Sequence, residues 1–170
     1  GLGMVHQHFM LAESMTALEN LMLFSRSQNF FTHLNIQEQK KYFQSVAEKY
    51  NYEIPWDEKI ENIPVGICQK IEILKILSQN AEIIILDEPT AVLTPQETQD
   101  LFLNLRQLQS EGKTILIITH KLKEVMSLTN NITVFRSGKV IAEFETQKTS
   151  LTELAETMMG FKIPPRQEPA

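Results

Sequence analysis

Cysteine, glycine and long apolar runs are scarce in this sequence, and each shortage closes off a class of protein. A single cysteine, Cys68, excludes an internal disulfide framework and suits a reducing compartment. The longest aliphatic runs, 83–86 and 115–118, fall far short of the ~20 apolar residues that a membrane-spanning helix needs. Sixteen basic side chains face 21 acidic ones, for a net charge of −5, and they form no basic stripe. Nucleic acid is therefore not an expected partner. The opening, GLGMVHQHFML, has no basic segment before an apolar core, so it does not read as a secretory signal. It begins without methionine, in what reads as the middle of a strand, and a larger parent protein is the expectation.

With 170 residues and 42% hydrophobic content, the chain is long enough for one domain with a substantial core. Residues 3–8 read as a strand end entering a loop, and 15–28 have helical spacing. A second helix is expected over 36–50, with Tyr42, Val46 and Tyr50 on one face. Residues 51–62, with Pro55 and Trp56, read as a loop, and 66–79 again as helix.

Strands and helices then alternate: strand 83–87, helix 95–110, strand 114–119, helix 121–129. This order implies a parallel sheet. Thr94-Pro95-Gln96-Glu97 carries a capping hydroxyl, a first-turn proline and a capping-box glutamate, and Gly112 supplies the stop. A β-hairpin is expected over 132–144 around Arg136-Ser137-Gly138. Ser150 and Glu153 cap a last helix, after which 161–170 reads as a linker or tail. The expected organisation is a strand end (1–8), a helical subdomain (9–80), an α/β part (81–160) and the tail.

In IIILDEPT, residues 83–90, four aliphatic residues run straight into Asp87 and Glu88. A buried parallel strand that ends in two carboxylates places them at the sheet edge where open α/β folds bind ligands. An isolated Asp-Glu reads as a surface turn. Here the preceding apolar run and the terminating Pro89 favour a magnesium site, which needs one or two carboxylates together with substrate phosphates. Such a site also needs a glycine-rich loop, G-x-x-x-x-G-K-[ST], whose amides and lysine neutralise phosphate. The sequence contains none. Gly112-Lys113-Thr114 has the right ending, but Gln107 stands where the first glycine belongs and a strand follows. Gly138-Lys139 fails in the same way. Gly1 and Gly3 are too close to the terminus to build the loop. His6 and His8 share a side if extended, but no third metal ligand accompanies them.

Four segments in order resemble the ATP-binding cassette (ABC) ATPase of ABC transporters. GMVHQHFML is similar to the glutamine loop, VGICQKIEILKIL to the signature region, IIILDEPTAVLT to Walker B and the D-loop, and IITHKL to the switch-histidine segment. The match runs from residue 1 to about 160. VHQHFML and DEPTAVLTPQE are similar to importers of simple sugars and nucleosides, whose ATPase carries two fused cassettes, and 154–160 resembles the end of the first. A DNA-repair or chromosome-organising cassette is disfavoured because no sustained heptads lie between Gln7 and the signature.

The resemblance implies a partial P-loop NTPase fold, α/β with a mainly parallel sheet plus a helical subdomain, that uses ATP and Mg²⁺. Asp87 is expected to hold Mg²⁺, Glu88 to polarise the attacking water, and His120 to contact the γ-phosphate. Gln7 is expected to contact the metal or water and to link the site to the membrane subunit. Val65 and Gly66 amides are expected to meet nucleotide across a head-to-tail dimer. Implied partners are transmembrane permease subunits, a second ATPase cassette, an amino-terminal segment bearing the phosphate loop and, indirectly, a solute-binding protein. The implied location is cytoplasmic, peripheral on the inner face of the cell membrane. The family signature reads approximately Leu-Ser-x-Gly-x-Gln-Gln, against Ile63-Pro64-Val65-Gly66-Ile67-Cys68-Gln69 here. Pro64 thus stands in place of the serine and removes both its hydroxyl and a backbone N–H. The competing reading is a non-catalytic remnant or interaction module that does not bind ATP alone.

Overall fold

The structure, a computed structural model, describes residues 1–24 and 35–162. The described chain forms two compact units, Gly1–Ile118 and Thr119 onward. The first contains β1 (Leu2–Val5), α1 (Ala17–Phe24), α2 (Ile36–Lys49), α3 (Val65–Ser78), β2 (Ile83–Asp87), α4 (Pro95–Ser110) and β3 (Thr114–Ile118). Its sheet is parallel throughout, in the order β1-β2-β3. Val5 pairs with Leu86 and Asp87 with Ile118, so all three strands run out at one edge.

Alternation along the strands divides the sheet into two faces. Val5, Ile84 and Leu86 are buried on the face covered by α3. Gly3 belongs to that face: a Cβ there would stand 1.9 Å from Ile76 Cγ2, so glycine is what lets strand and helix approach. The opposite face is open among the described residues, with Leu2 64%, Ile83 41%, Leu116 48% and Ile118 46% exposed. Among the described residues both outer strands also present an unpaired edge, which favours association with another chain.

The α4 signals act as expected. Thr94 Oγ1 accepts from Glu97 N–H at 3.3 Å, and Glu97 Oε2 accepts from Thr94 N–H at 2.9 Å. The bond from Thr94 N–H, together with one from the Thr94 hydroxyl at 2.8 Å, holds the Glu97 carboxyl below its ordinary pKa. Gly112, at φ 86°, follows the helix in the left-handed conformation that a C-terminal stop uses.

Helix α1 is shorter at its start than the expected 15–28, because Thr16 pairs with Lys59 in an isolated bridge. The expected stretch 25–28 lies outside the described residues. On α2 the buried stripe is offset by one residue from the tyrosine-bearing face. Phe43 and Ala47 are buried with Tyr50, while Tyr42 stands at the margin and donates to Ser78 O at 2.9 Å. Its hydroxyl finds a carbonyl there that the core does not offer. Helix α3 begins at Val65, one residue earlier than expected, because Pro64 takes the N-cap position.

Tyr52, in the 51–62 loop, is 5% exposed and its hydroxyl has no hydrogen-bond partner among the described residues. Burial pushes its pKa up, since the phenolate has no water around it. Tyr52→Phe removes an unsatisfied polar atom and keeps the ring. It is expected to stabilise the fold by about 1 kcal/mol, read as a raised urea midpoint. A destabilisation of similar size would contradict this reading.

The second unit is built on a hairpin of β4 (Asn131–Arg136) and β5 (Lys139–Glu145), flanked by α5 (Leu122–Leu128) and α6 (Leu151–Met159). Ser137 and Gly138, at φ 52° and 75°, make the two-residue turn. Ile132, Val134 and Leu154 form its core, against which Val125 and Phe144 pack. Helix α6 starts where Ser150 Oγ accepts from Glu153 N–H at 3.2 Å. It ends at Gly160, φ 82°, which lies against the Arg136 guanidinium. Residues 163–170, most of the expected tail, lie outside the described residues.

Candidate functional site

Sheet geometry alone brings two of the expected groups to one edge. β2 delivers Asp87 at its carboxyl end, and β1 runs out beside it, with Gln7 two residues beyond Val5. Gln7 is exposed and Asp87 partly so, as groups that meet a soluble ligand must be. An exposed amide and a carboxylate at this edge are oxygen donors of the kind Mg²⁺ takes when phosphate oxygens and water complete its shell. The donor set therefore fits the implied ion, and the ends of parallel strands fit its attendant phosphates. Among the described residues no three His, Cys, Asp or Glu side chains cluster as a closed metal site.

Glu88 is the most constrained of these residues. Its backbone is left-handed at φ 46°, a conformation that costs a non-glycine residue roughly 1–3 kcal/mol and persists only where surroundings impose it. The constraints are visible. Glu88 N–H donates to Ile118 O at 2.8 Å, and Ala91 N–H donates to Glu88 O at 3.1 Å. One carboxylate oxygen, Oε2, is shielded from solvent. Pro89 and Thr90 behind it are buried.

The segment after β1, expected to be the glutamine loop, is held from within. Met10 N–H donates to Glu72 Oε1 at 2.8 Å, and Ala12 N–H to Asn20 Oδ1 at 2.7 Å. Glu72 is 2% exposed on α3 and pairs with Lys75 Nζ at 2.5 Å. Lys75 in turn lies 4.1 Å from the centre of the Phe24 ring. Nothing in the sequence pattern singled out Asn20, Glu72 or Lys75. The one available signal was a Glu and a Lys at i, i+3 within an otherwise apolar helix.

The segment expected to be the signature region starts α3. Pro64 is its N-cap, at φ −55° and ψ 143°, and makes no side-chain capping bond. Val65 is 40% exposed, whereas Gly66 is buried, and a Cβ on Gly66 would stand 2.1 Å from Glu97 Oε1. A side chain at 66 would therefore displace the Glu97 carboxylate that caps the start of α4. Of the two expected amide donors, Val65 lies toward solvent and Gly66 is packed against a carboxylate.

His120 follows β3 in the chain by two residues, within the second unit, and is exposed. His6 and His8 are exposed beside Gln7.

Comparison with known proteins gives a consistent picture. The family model described as ABC transporter matches residues 1–91. The nucleoside import ATP-binding protein NupA of Lactococcus lactis is 43% identical over 163 residues, which are 96% of this chain and 32% of that protein. The guanosine import ATP-binding protein NupO of Bacillus subtilis is 40% identical, with coverage of 96% and 32%. The ribose import ATP-binding protein RbsA of Hahella chejuensis is 33% identical, again with 96% and 32%. The chain thus spans about a third of the length of the curated relatives it matches. Among solved structures, a nucleotide-free ATP-binding cassette from an ABC transporter superposes with a TM-score of 0.70 at 26% identity, over 85% of this chain and 61% of that one. An ABC transporter in an inward-facing conformation gives a TM-score of 0.80 over 94% of this chain and 64% of that one, a likeness of fold at 19% identity.

Proposed function

Because the chain belongs to the ABC transporter family, we propose that it is the hydrolytic and signature-bearing part of the first of two cassettes in the ATPase of an importer of nucleosides or simple sugars. The observation that supports this most is the edge where Gln7, Asp87 and Glu88 follow two adjacent parallel strands, in a chain similar along 96% of its length to nucleoside and sugar import ATP-binding proteins.

Bound Mg²⁺ supplies a Lewis-acidic contact to phosphate oxygens. Asp87 holds it, with Gln7 as a further oxygen donor. Glu88 orients the attacking water and accepts its proton, and His120 donates to the γ-phosphate. Phosphoryl transfer depends on positioning and charge stabilisation, so these groups work only around a phosphate held by a glycine-rich loop. That loop comes from an amino-terminal segment of the same ATPase. Its strand and apolar side chains cover the open sheet face of Leu2, Ile83, Leu116 and Ile118. Residues 9–80 form the helical subdomain that transmits the state of the site to the permease subunits, and 81–160 carry the hydrolytic groups. The assembly works from the cytoplasmic side of the membrane, with a second cassette and a solute-binding protein that reaches it through the permease.

A cell lacking this protein is expected to lose uptake of a labelled nucleoside or monosaccharide. Unchanged uptake of both classes contradicts the reading. Pro64 favours a second reading, a remnant that keeps the docking surface without turning over ATP. With no hydroxyl at that position, the signature loses a charge-assisted hydrogen bond worth on the order of 1.5–3 kcal/mol, and this half-site slows by one to two decades.

A further inference from the structure

Gln69 is 3% exposed on α3, one turn beyond Pro64 and Val65, and its amide needs a partner inside the fold. Its Nε2 donates to the Pro89 carbonyl at 2.6 Å, across 20 residues of sequence. Pro89 immediately follows Glu88, whose backbone is left-handed and whose own N–H is tied to Ile118 O at 2.8 Å. The peptide segment that sets the direction of the Glu88 side chain is therefore pinned on both sides. β3 holds the incoming N–H and α3 holds the outgoing carbonyl. Proline offers no N–H at 89, so the carbonyl is the only backbone handle there that a neighbour can grip. An unpaired buried carbonyl would be costly, and an alternative rotation of the Glu88–Thr90 segment would leave this one unpaired.

Resting on the reading of Glu88 as the group that orients water, we infer that Gln69 is a positioning residue for hydrolysis: its amide holds the Pro89 carbonyl and thereby keeps the Glu88 backbone in its left-handed conformation. Gln69 is buried beneath the turn, and its amide is bonded to the Pro89 carbonyl. It acts through the backbone of the turn, and it links that turn to the same helix whose amino terminus forms the signature. Catalytic geometry is sensitive to displacements of about 1 Å, so loosening this turn affects the chemical step more than binding.

The test uses the assembled ATPase that contains this chain, with steady-state hydrolysis measured against ATP·Mg²⁺ concentration. Gln69→Met keeps the length and volume of the side chain and removes the donor. It is expected to lower kcat about tenfold and to leave KM within about twofold. Gln69→Glu supplies a donor only when protonated, and burial raises the pKa of a carboxyl. Its kcat per folded molecule, with the folded fraction at each pH measured by circular dichroism, is expected to rise relative to the unmodified protein as pH falls from 8 to 6, whereas a merely structural role moves the folded fraction and leaves that ratio flat. Unchanged kcat in Gln69→Met overturns the proposal, and so does a Gln69→Glu ratio that is flat with pH. If the Met variant does not fold, the pH profile of Gln69→Glu decides alone. Glu88→Gln is measured in parallel. Retained turnover in that variant sinks the reading of Glu88 itself, whereas its loss alongside normal Gln69→Met activity sinks only the role of Gln69.

Discussion

Glu88→Gln is expected to lower kcat for ATP hydrolysis in the assembled ATPase by a factor on the order of 10²–10⁴, the usual contribution of a general base. ATP·Mg²⁺ binding should remain within about twofold. The substitution leaves the fold and the backbone of the site intact. Glutamine has the size of glutamate and adopts the φ of 46° at a similar cost, and the N–H bond to Ile118 O belongs to the backbone. Only the negative charge and the proton-accepting oxygen are lost. Asp87→Asn differs in kind, because it removes charge from the group proposed to hold the metal and should weaken Mg²⁺-dependent binding as well. Turnover in Glu88→Gln within threefold of the unmodified protein would show that this carboxylate does not orient the water.

The second large effect is structural. Glu72→Ala is expected to destabilise the fold by about 3–5 kcal/mol, because it strands the ammonium of Lys75 in an apolar interior and removes the acceptor of Met10 N–H. Against a typical domain stability of about 5–15 kcal/mol, this is a large fraction. Urea denaturation followed by circular dichroism measures it. Replacing both members, Glu72→Leu with Lys75→Met, should recover much of the loss, since a buried ion pair exchanged for apolar groups is often neutral. A loss under 1 kcal/mol in Glu72→Ala, or a double variant as unstable as the single one, would contradict the reading of this pair as a buried, mutually dependent unit.

What the sequence disclosed and what it hid follow from the range of the interactions involved. β2 was legible because four aliphatic residues end at an acidic pair, and α4 because Thr94, Pro95 and Glu97 are local signals whose bonds form within one turn. The hairpin turn at Ser137-Gly138 was legible for the same reason. The edge that gathers Gln7 and Asp87 came from resemblance and strand order, since the pairing of Val5 with Leu86 spans most of the first unit.

Contacts made across long stretches of chain escaped. Gly3 was read as a glycine too near the terminus to build a loop, whereas it is the point of closest approach between β1 and Ile76 of α3. Gln69 appeared only as a letter of a weakened signature, although its amide grips Pro89 O. Asn20 sits mid-helix, where composition suggests a solvated polar face, yet its amide also donates to Ala12 O at 3.1 Å. On α2 the period of 3.6 was visible, but of two adjacent stripes the buried one carries Phe43 and Ala47, while Tyr42 reaches the Ser78 carbonyl, a partner that no local pattern announces.

The central claim is that this chain holds the hydrolytic groups of a cassette whose phosphate cradle lies in another segment. Titration of ATP·Mg²⁺ into the purified 170-residue chain, followed by calorimetry, tests it most directly. The account predicts no saturable binding below about millimolar concentration, corresponding to less than about 4 kcal/mol, because no glycine-rich loop is present to neutralise the phosphates. Saturable binding in the micromolar range by this chain alone would contradict it.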